Sequence, residues 1–113
     1  MVTSFRLARG TAPVDDEERR LLADADAFLR ARRWTDACLA FHQLAAKVPQ
    51  ERSYRARMHY ARGRDHADAG RIALARAEFE RATRLDSTLD DAVVMLGQLD
   101  AAANKGWRKL LNR

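Results

Sequence analysis

The segment 70–86 constrains the fold more than any other part of the chain. Its apolar residues recur three or four positions apart and therefore fall on one face of an α-helix: Ile72, Ala75, Phe79, Ala82 and Leu85. Gly70 and Asp86 flank this run with residue types that favour turns. The small side chains of Ala75 and Ala82 let a second helix approach closely, while Phe79 fills the space between them. We expect a tight helix pair formed with the preceding segment, and a chain built from such pairs.

Composition predicts one all-α domain. The 113 residues include only 5 Gly and 2 Pro, and no alternating β-branched run typical of strands occurs. The formal net charge of +5 comes from 21 basic and 16 acidic residues that are interspersed, which favours acidic surfaces and gives only weak attraction to polyanions. Cys38 is the single cysteine, which excludes an internal disulfide and is typical of a reducing compartment. No stretch has the length of a signal peptide or membrane span, so we expect a cytoplasmic protein.

Turn-forming residues divide the chain into segments. We expect a flexible arm, a helical domain and an amphipathic basic tail, at residues 1–12, 13–104 and 105–113. The helices predicted within the domain cover approximately residues 13–32, 35–48, 50–68, 70–86 and 89–104. Pro13 and the acidic residues after it favour the first helix start. Thr35 and Asp36 are predicted to cap the second helix, Pro49 to stop it, and Gly106 to break the fifth.

An internal repeat indicates how these helices are arranged. Two segments share a small residue, an aromatic four positions later and a turn eight positions after that: Ala37, Phe41 and Pro49, then Ala75, Phe79 and Ser87. A second pattern, with residues three, four and seven positions after the first, recurs in three other helices. Its members are Leu21, Asp24, Ala25 and Phe28, then His59, Arg62, Gly63 and His66, then Val93, Leu96, Gly97 and Asp100. Repeats of this length predict stacked helical pairs. The distance along the sequence is four residues longer between the first two repeats than between the second and third.

These motifs resemble the tetratricopeptide repeat family over about residues 17–104. The resemblance implies antiparallel helix pairs stacked as a short right-handed solenoid of about two and a half repeats, closed by the tail. His59, His66, Asp24 and Asp100 depart from the family's usual apolar residues. A stack this short is expected to need either a cap or self-association, the latter as a homodimer.

Enzymatic chemistry has little support in the sequence. Cys38 and His42 lie one helical turn apart, but no orienting group or oxyanion site accompanies them. His59 and His66 share a helix face with Asp65 nearby, but their spacing matches no established metal motif. We expect these residues to serve packing, and we predict no enzyme activity, no catalytic residue, no metal and no cofactor.

A peptide-binding groove is the sharper hypothesis. The resemblance implies that the first helices of successive repeats line a concave surface, which would present Arg19, Asp26, Arg57, Tyr60, Arg64, Asp91, Val94 and Gln98. Arg57, Tyr60 and Arg64 follow helical spacing and are predicted to form a cationic and aromatic strip that suits an acidic or amphipathic peptide. The alternative is that these arginines only solvate the surface. The carboxylate clamp of chaperone-binding relatives uses Lys and Asn, and Asn104 is the one Asn before the tail.

The tail leaves three interpretations open. Trp107, Leu110 and Leu111 alternate with basic residues, so the segment suits folding back over the last helix, contacting a partner, or touching an anionic membrane weakly. Stable membrane insertion is not expected.

Three functions follow from these observations. The first is a protein-interaction adaptor that binds a partner in the groove, and the second is a small secretion-type chaperone of the same fold. The third is a nucleic-acid-binding module, which the interleaved charges disfavour, so no specific nucleic-acid partner is expected. Salt distinguishes them, because polyanion binding weakens steeply as salt is added.

Overall fold

Five α-helices follow one another in the part of the chain that the structure describes, which agrees with the all-α domain that composition predicts. The computed structural model describes residues 15–111, with side chains from 15 to 105, and no strand occurs in this part of the chain. The helices are α1 (Asp16–Arg30), α2 (Trp34–Lys47), α3 (Arg52–Asp68), α4 (Ile72–Leu85) and α5 (Asp90–Leu111). Each helix packs on the next, most extensively between α3 and α4 and least between α4 and α5. The pairing of segment 70–86 with the helix before it is therefore confirmed.

The turns after α1 and α3 have the same construction. Each contains three residues, and the middle one adopts a left-handed conformation, with φ 59° at Arg32 and φ 80° at Gly70. The next residue donates its backbone N–H to the carbonyl five positions earlier, from Arg33 to Phe28 and from Arg71 to His66. This pattern is the Schellman motif, which reverses the chain within three residues. The predicted separation of two helices at Gly70 is confirmed, and Arg32 forms the equivalent turn without a glycine.

The start of α1 shows the expected acidic first turn. Asp15 Oδ1 accepts the backbone N–H of Glu18 at 2.7 Å, and Lys47 of α2 binds both Asp15 and Glu17. The Glu18 N–H, followed by Lys47, holds the pKa of Asp15 below its ordinary value. Hydrogen bonds to Glu17 and Asp15 raise the pKa of Lys47. The predicted role of Pro13 and the arm 1–12 lie outside the described residues.

Two predicted helix ends are wrong. Thr35 and Asp36 do not cap α2, because the helix begins one residue before them and its cap position, Arg33, makes no side-chain hydrogen bond there. The Schellman turn already sets the direction of α2. Gly106 does not break α5, which continues to Leu111 without the reversal that folding back over the last helix would require. A helix interior tolerates one glycine at a cost of about 1 kcal/mol.

Two apolar clusters form the core. The first joins α1, α2 and α3 through Ala25, Ala40, Phe41, Leu44, Val48, Tyr54 and Met58, and the second joins α2 to α5 through Trp34, Tyr60, Ala75, Phe79, Ala82, Ala92 and Leu99. Ala75, Phe79 and Ala82 are fully buried, as the α4 pattern predicts. The two ends of the pattern are less buried, since Leu85 is half-buried and Ile72, the first residue of the helix, is 46% exposed. Gly63 of α3 lies directly against the Phe79 ring.

Corresponding helices begin at nearly equal intervals, and α3 begins 36 residues after α1. α4 begins 38 residues after α2, and α5 begins 38 residues after α3. Burial follows the same register, since Tyr54 and Ala61 of α3 correspond to the buried Ala92 and Leu99 of α5. The shorter spacing predicted for the third repeat is therefore wrong. It depended on aligning Gly97 with Gly63, but Gly97 is exposed and has no neighbour at its Cβ position.

Two buried carboxylates were not predicted. Glu18 is 2% exposed and accepts a hydrogen bond from Tyr54 Oη at 2.6 Å, which ties α1 to α3. Glu78 of α4 lies 2.7 Å from His59 Nδ1 through one oxygen, while Arg81 and Arg62 lie 3.5 and 3.8 Å from the other. The sequence suggested only a packing role for His59. The structure gives it a polar contact between α3 and α4.

Candidate functional site: a cleft between the first, third and fifth helices

A cleft of about 260 Å³ opens on the side of the molecule where α1, α3 and α5 converge. Six residues line it: Asp26, Leu29 and Arg30 of α1, Trp34 at the start of α2, Tyr60 of α3 and Asp91 of α5. The volume lies just below the 300–1,000 Å³ that is typical of small-molecule sites. The cleft therefore suits one or two protein side chains better than a large cofactor.

The α1 wall of the cleft follows from helical spacing. Leu29 and Arg30 lie three and four residues after Asp26, so all three side chains occupy one face of the helix. Leu29 also packs on both core clusters and is only half-buried. This wall therefore presents an apolar side chain between two side chains of opposite charge.

Trp34 forms the apolar floor and is held on several sides. Its Nε1 donates a hydrogen bond to Asp68 Oδ2 at 2.8 Å, across to the end of α3. The guanidinium carbon of Arg64 lies 4.6 Å from the centre of the Trp34 ring, within cation–π range. Tyr60 meets the indole edge-on, with ring centroids 6.3 Å apart. These contacts fix the floor before any ligand binds.

The charges at the rim are only partly neutralised. Asp26 lies 3.9 Å from Arg57 of α3, a long contact between two part-exposed side chains. Arg30 and Asp91, both exposed, form no ion pair with any described side chain. The rim therefore offers one unpaired cation on α1 and one unpaired anion on α5.

The predicted strip on α3 is occupied by contacts within the protein. Arg57 lies over the Phe41 ring, 6.0 Å from its centroid, in addition to its contact with Asp26. Arg64 donates to Tyr60 Oη at 3.0 Å and stacks on Trp34. Tyr60 is only 7% exposed, so the expectation that it points outward is wrong, although its edge reaches the cleft. Arg64 therefore contacts both aromatic rings of the floor, whereas Arg57 contacts the core ring of Phe41.

The other predicted groove residues separate into two groups. Asp26, Tyr60 and Asp91 converge on the cleft. Arg19, Val94 and Gln98 are exposed but do not line it, and Arg19 binds Asp16 one turn away at 2.8 Å. The side chains of Trp107, Leu110 and Leu111 lie outside the described residues.

Sequence reasoning missed Arg30 and Trp34. Arg30 was detectable, because it follows Asp26 by four residues and so shares its helix face. Trp34 had no periodic signal. It lies at the junction of a turn and a helix, and the Schellman geometry at Arg32 determines its direction.

The histidines and the cysteine do not assemble into a site. His66 Nδ1 accepts a hydrogen bond from Arg71 Nε at 2.9 Å, and His59 contacts Glu78. Cys38 is half-buried beside the first core cluster, and His42 is exposed. No group of three His, Cys, Asp or Glu side chains in the described part of the chain is placed to hold a metal ion.

Comparison with known proteins found no matching protein family, no matching curated protein and no matching solved structure. Among the helices described, none combines the length and apolar character needed to cross a membrane.

Proposed function

We propose that this chain is a small adaptor of the tetratricopeptide-like class, which binds a segment of a partner protein in the cleft between α1, α3 and α5. The observation that carries the proposal is the cleft, whose walls come from alternate helices and whose floor is aromatic. The proposed function is non-covalent binding and involves no chemical reaction.

The repeated construction supports the solenoid part of the proposal. Two helix pairs share the same Schellman turn, and their second helices begin 38 residues apart. These second helices also share their buried positions, namely Ala37 with Ala75, Phe41 with Phe79 and Leu44 with Ala82. In stacked helical pairs, alternate helices line one surface. The residues that line the cleft come mainly from such helices.

The dimensions and rigidity of the cleft favour a protein segment as the ligand. Pre-fixed aromatic rings bind with little loss of side-chain entropy, which is why they dominate protein-recognition surfaces. The acidic-peptide expectation loses its main support, because Arg57 and Arg64 are engaged within the protein. An amphipathic segment with one apolar anchor remains the fitting partner.

The test is to fill the cleft with a larger side chain. A displayed library of random linear peptides is selected on the purified protein, and the enriched peptides are measured by fluorescence polarisation against wild type and Leu29→Trp. We expect Leu29→Trp to weaken binding by about tenfold or more, because the added ring occupies the anchor position.

Leu39→Trp is the matched control, since Leu39 is 58% exposed on α2 and does not line the cleft. It should leave affinity unchanged, with circular dichroism confirming that both variants fold. Equal affinity of Leu29→Trp and wild type would reject the cleft as the binding site. Affinity that collapses steeply with added salt, with no effect of Leu29→Trp, would favour the polyanion alternative.

A further inference from the structure

We infer that the cleft recognises the order of charged residues in its partner segment in addition to an apolar side chain. The partner segment carries an apolar side chain between an acidic and a basic residue. The acidic residue meets Arg30 on the α1 side and the basic residue meets Asp91 on the α5 side. This inference rests on the proposed function and specifies the chemistry of the partner.

The inference follows from the charges at the rim after internal pairing. Arg57 lies within ion-pair distance of Asp26, so that carboxylate is partly satisfied by the protein itself. Arg30 and Asp91 have no such partner among the described side chains, and both line the cleft. They belong to different helices, so the two unpaired charges have a fixed direction across the cleft. A partner with the complementary direction gains both ion pairs, whereas one with the reversed direction meets like charge at each position.

The apolar part of the ligand follows from the floor. Leu29 is half-buried, and the aromatic edges of Trp34 and Tyr60 are fixed by internal contacts. An apolar side chain of the ligand therefore becomes buried in the cleft without a rearrangement of the protein. The guanidinium carbon of Arg64 lies 4.6 Å from the centroid of the Trp34 ring, so this cation is already engaged within the protein. The exposed rim therefore sets orientation, while the floor supplies the anchor.

The decisive experiment reverses the charges on both sides at once. Peptides are selected from the same displayed library on wild type and on the double variant Arg30→Glu with Asp91→Lys, which keeps the formal net charge. We expect the wild-type peptides to share an acid–apolar–base order in one chain direction, and those of the double variant to share the opposite order.

Synthetic versions of one enriched peptide and its charge-exchanged twin then quantify the preference. Exposed ion pairs contribute about 0.2–1 kcal/mol each, so each pair should change affinity by up to about fivefold, in favour of opposite peptides for the two proteins. A control variant, Asp24→Lys with Arg84→Glu, exchanges two exposed charges that do not line the cleft and should keep the wild-type preference.

The outcomes separate the two levels of the proposal. Peptides that bind the cleft with the same charge preference in wild type and in the Arg30 and Asp91 double variant would overturn the charge-order inference and leave peptide binding intact. Failure of both proteins to enrich any peptide would overturn the proposed function, and the inference with it.

Discussion

Replacing Gly63 with alanine tests the close packing of α3 against Phe79 of α4. A Cβ atom on Gly63 would lie 2.6 and 2.8 Å from two carbons of the Phe79 ring, which is closer than such atoms tolerate. Phe79 is fully buried in the second core cluster, so its ring has no open space to move into. Overpacking of this kind costs about 1–3 kcal/mol.

The same substitution also has a stabilising effect that must be subtracted. Gly63 lies in the interior of α3, where alanine is favoured over glycine by about 0.5–1 kcal/mol. We therefore expect Gly63→Ala to lower the free energy of unfolding by roughly 1 kcal/mol, within a range of about 0 to 2.5 kcal/mol. The net effect is destabilising because the steric cost exceeds the gain in helix propensity.

Gly97 provides a matched control within the chain. It lies in the interior of α5, and nothing lies within 4 Å of the Cβ position. Gly97→Ala should therefore stabilise the protein by about 0.5–1 kcal/mol. Urea unfolding followed by far-UV circular dichroism measures both variants, and their difference, about 1–3 kcal/mol, isolates the steric cost.

A second-site variant makes the reasoning refutable. Phe79→Leu removes the ring that the new methyl group would meet, so the double variant Gly63→Ala with Phe79→Leu should be less destabilised than the sum of the single changes, by about 0.5–3 kcal/mol. If Gly63→Ala instead stabilises the protein as much as Gly97→Ala does, the close helix approach described here is wrong.

Three further predictions concern polar contacts. Tyr54→Phe removes the hydrogen bond to the buried carboxylate of Glu18 and should lower the free energy of unfolding by about 1.5–3 kcal/mol, as measured by urea titration. Glu78→Gln keeps the shape of the side chain but removes the charge that faces His59, and should lower the thermal midpoint, whereas the same change at exposed Glu80 should not. Because the pKa of Asp15 is lowered on folding, its contribution to stability is complete above its ordinary value of about 3.8 and disappears as pH falls through the folded value. Asp15→Asn should therefore lower stability at neutral pH and flatten the acid limb of a stability–pH curve, and an unchanged acid limb would contradict the assigned shift.

Helix existence and the central packing face were predictable because they depend on local spacing. The three-or-four-residue pattern around Phe79 identified both the face of α4 and its partner helix, and glycine at position 70 signalled a turn between them. Arg32 forms the same turn without that signal. Glycine adopts the left-handed conformation without steric cost because it lacks a Cβ atom, whereas an arginine there is held in place by the helices on either side.

The cleft was predictable only in part. Asp26 and Asp91 were named because the family resemblance implies that the first helices of successive repeats line one surface, and both residues do line the cleft. The roles of Arg57 and Arg64 depended on which neighbours their side chains reach, and a one-dimensional pattern does not contain those distances. The buried positions of Glu18 and Glu78 escaped detection for the same reason, since composition predicts that glutamates are exposed.

The linear order of the helices links ligand binding to local unfolding. α5 packs chiefly on α4, through the least extensive of the four sequential helix contacts, yet it supplies Asp91 to the cleft. Sub-global opening that releases α5 would therefore remove one wall of the cleft while the α2–α3–α4 core stays folded. Occupancy of the cleft should then slow amide hydrogen exchange in the first turns of α5 far more than in α2, which makes the last helix a reporter of the bound state.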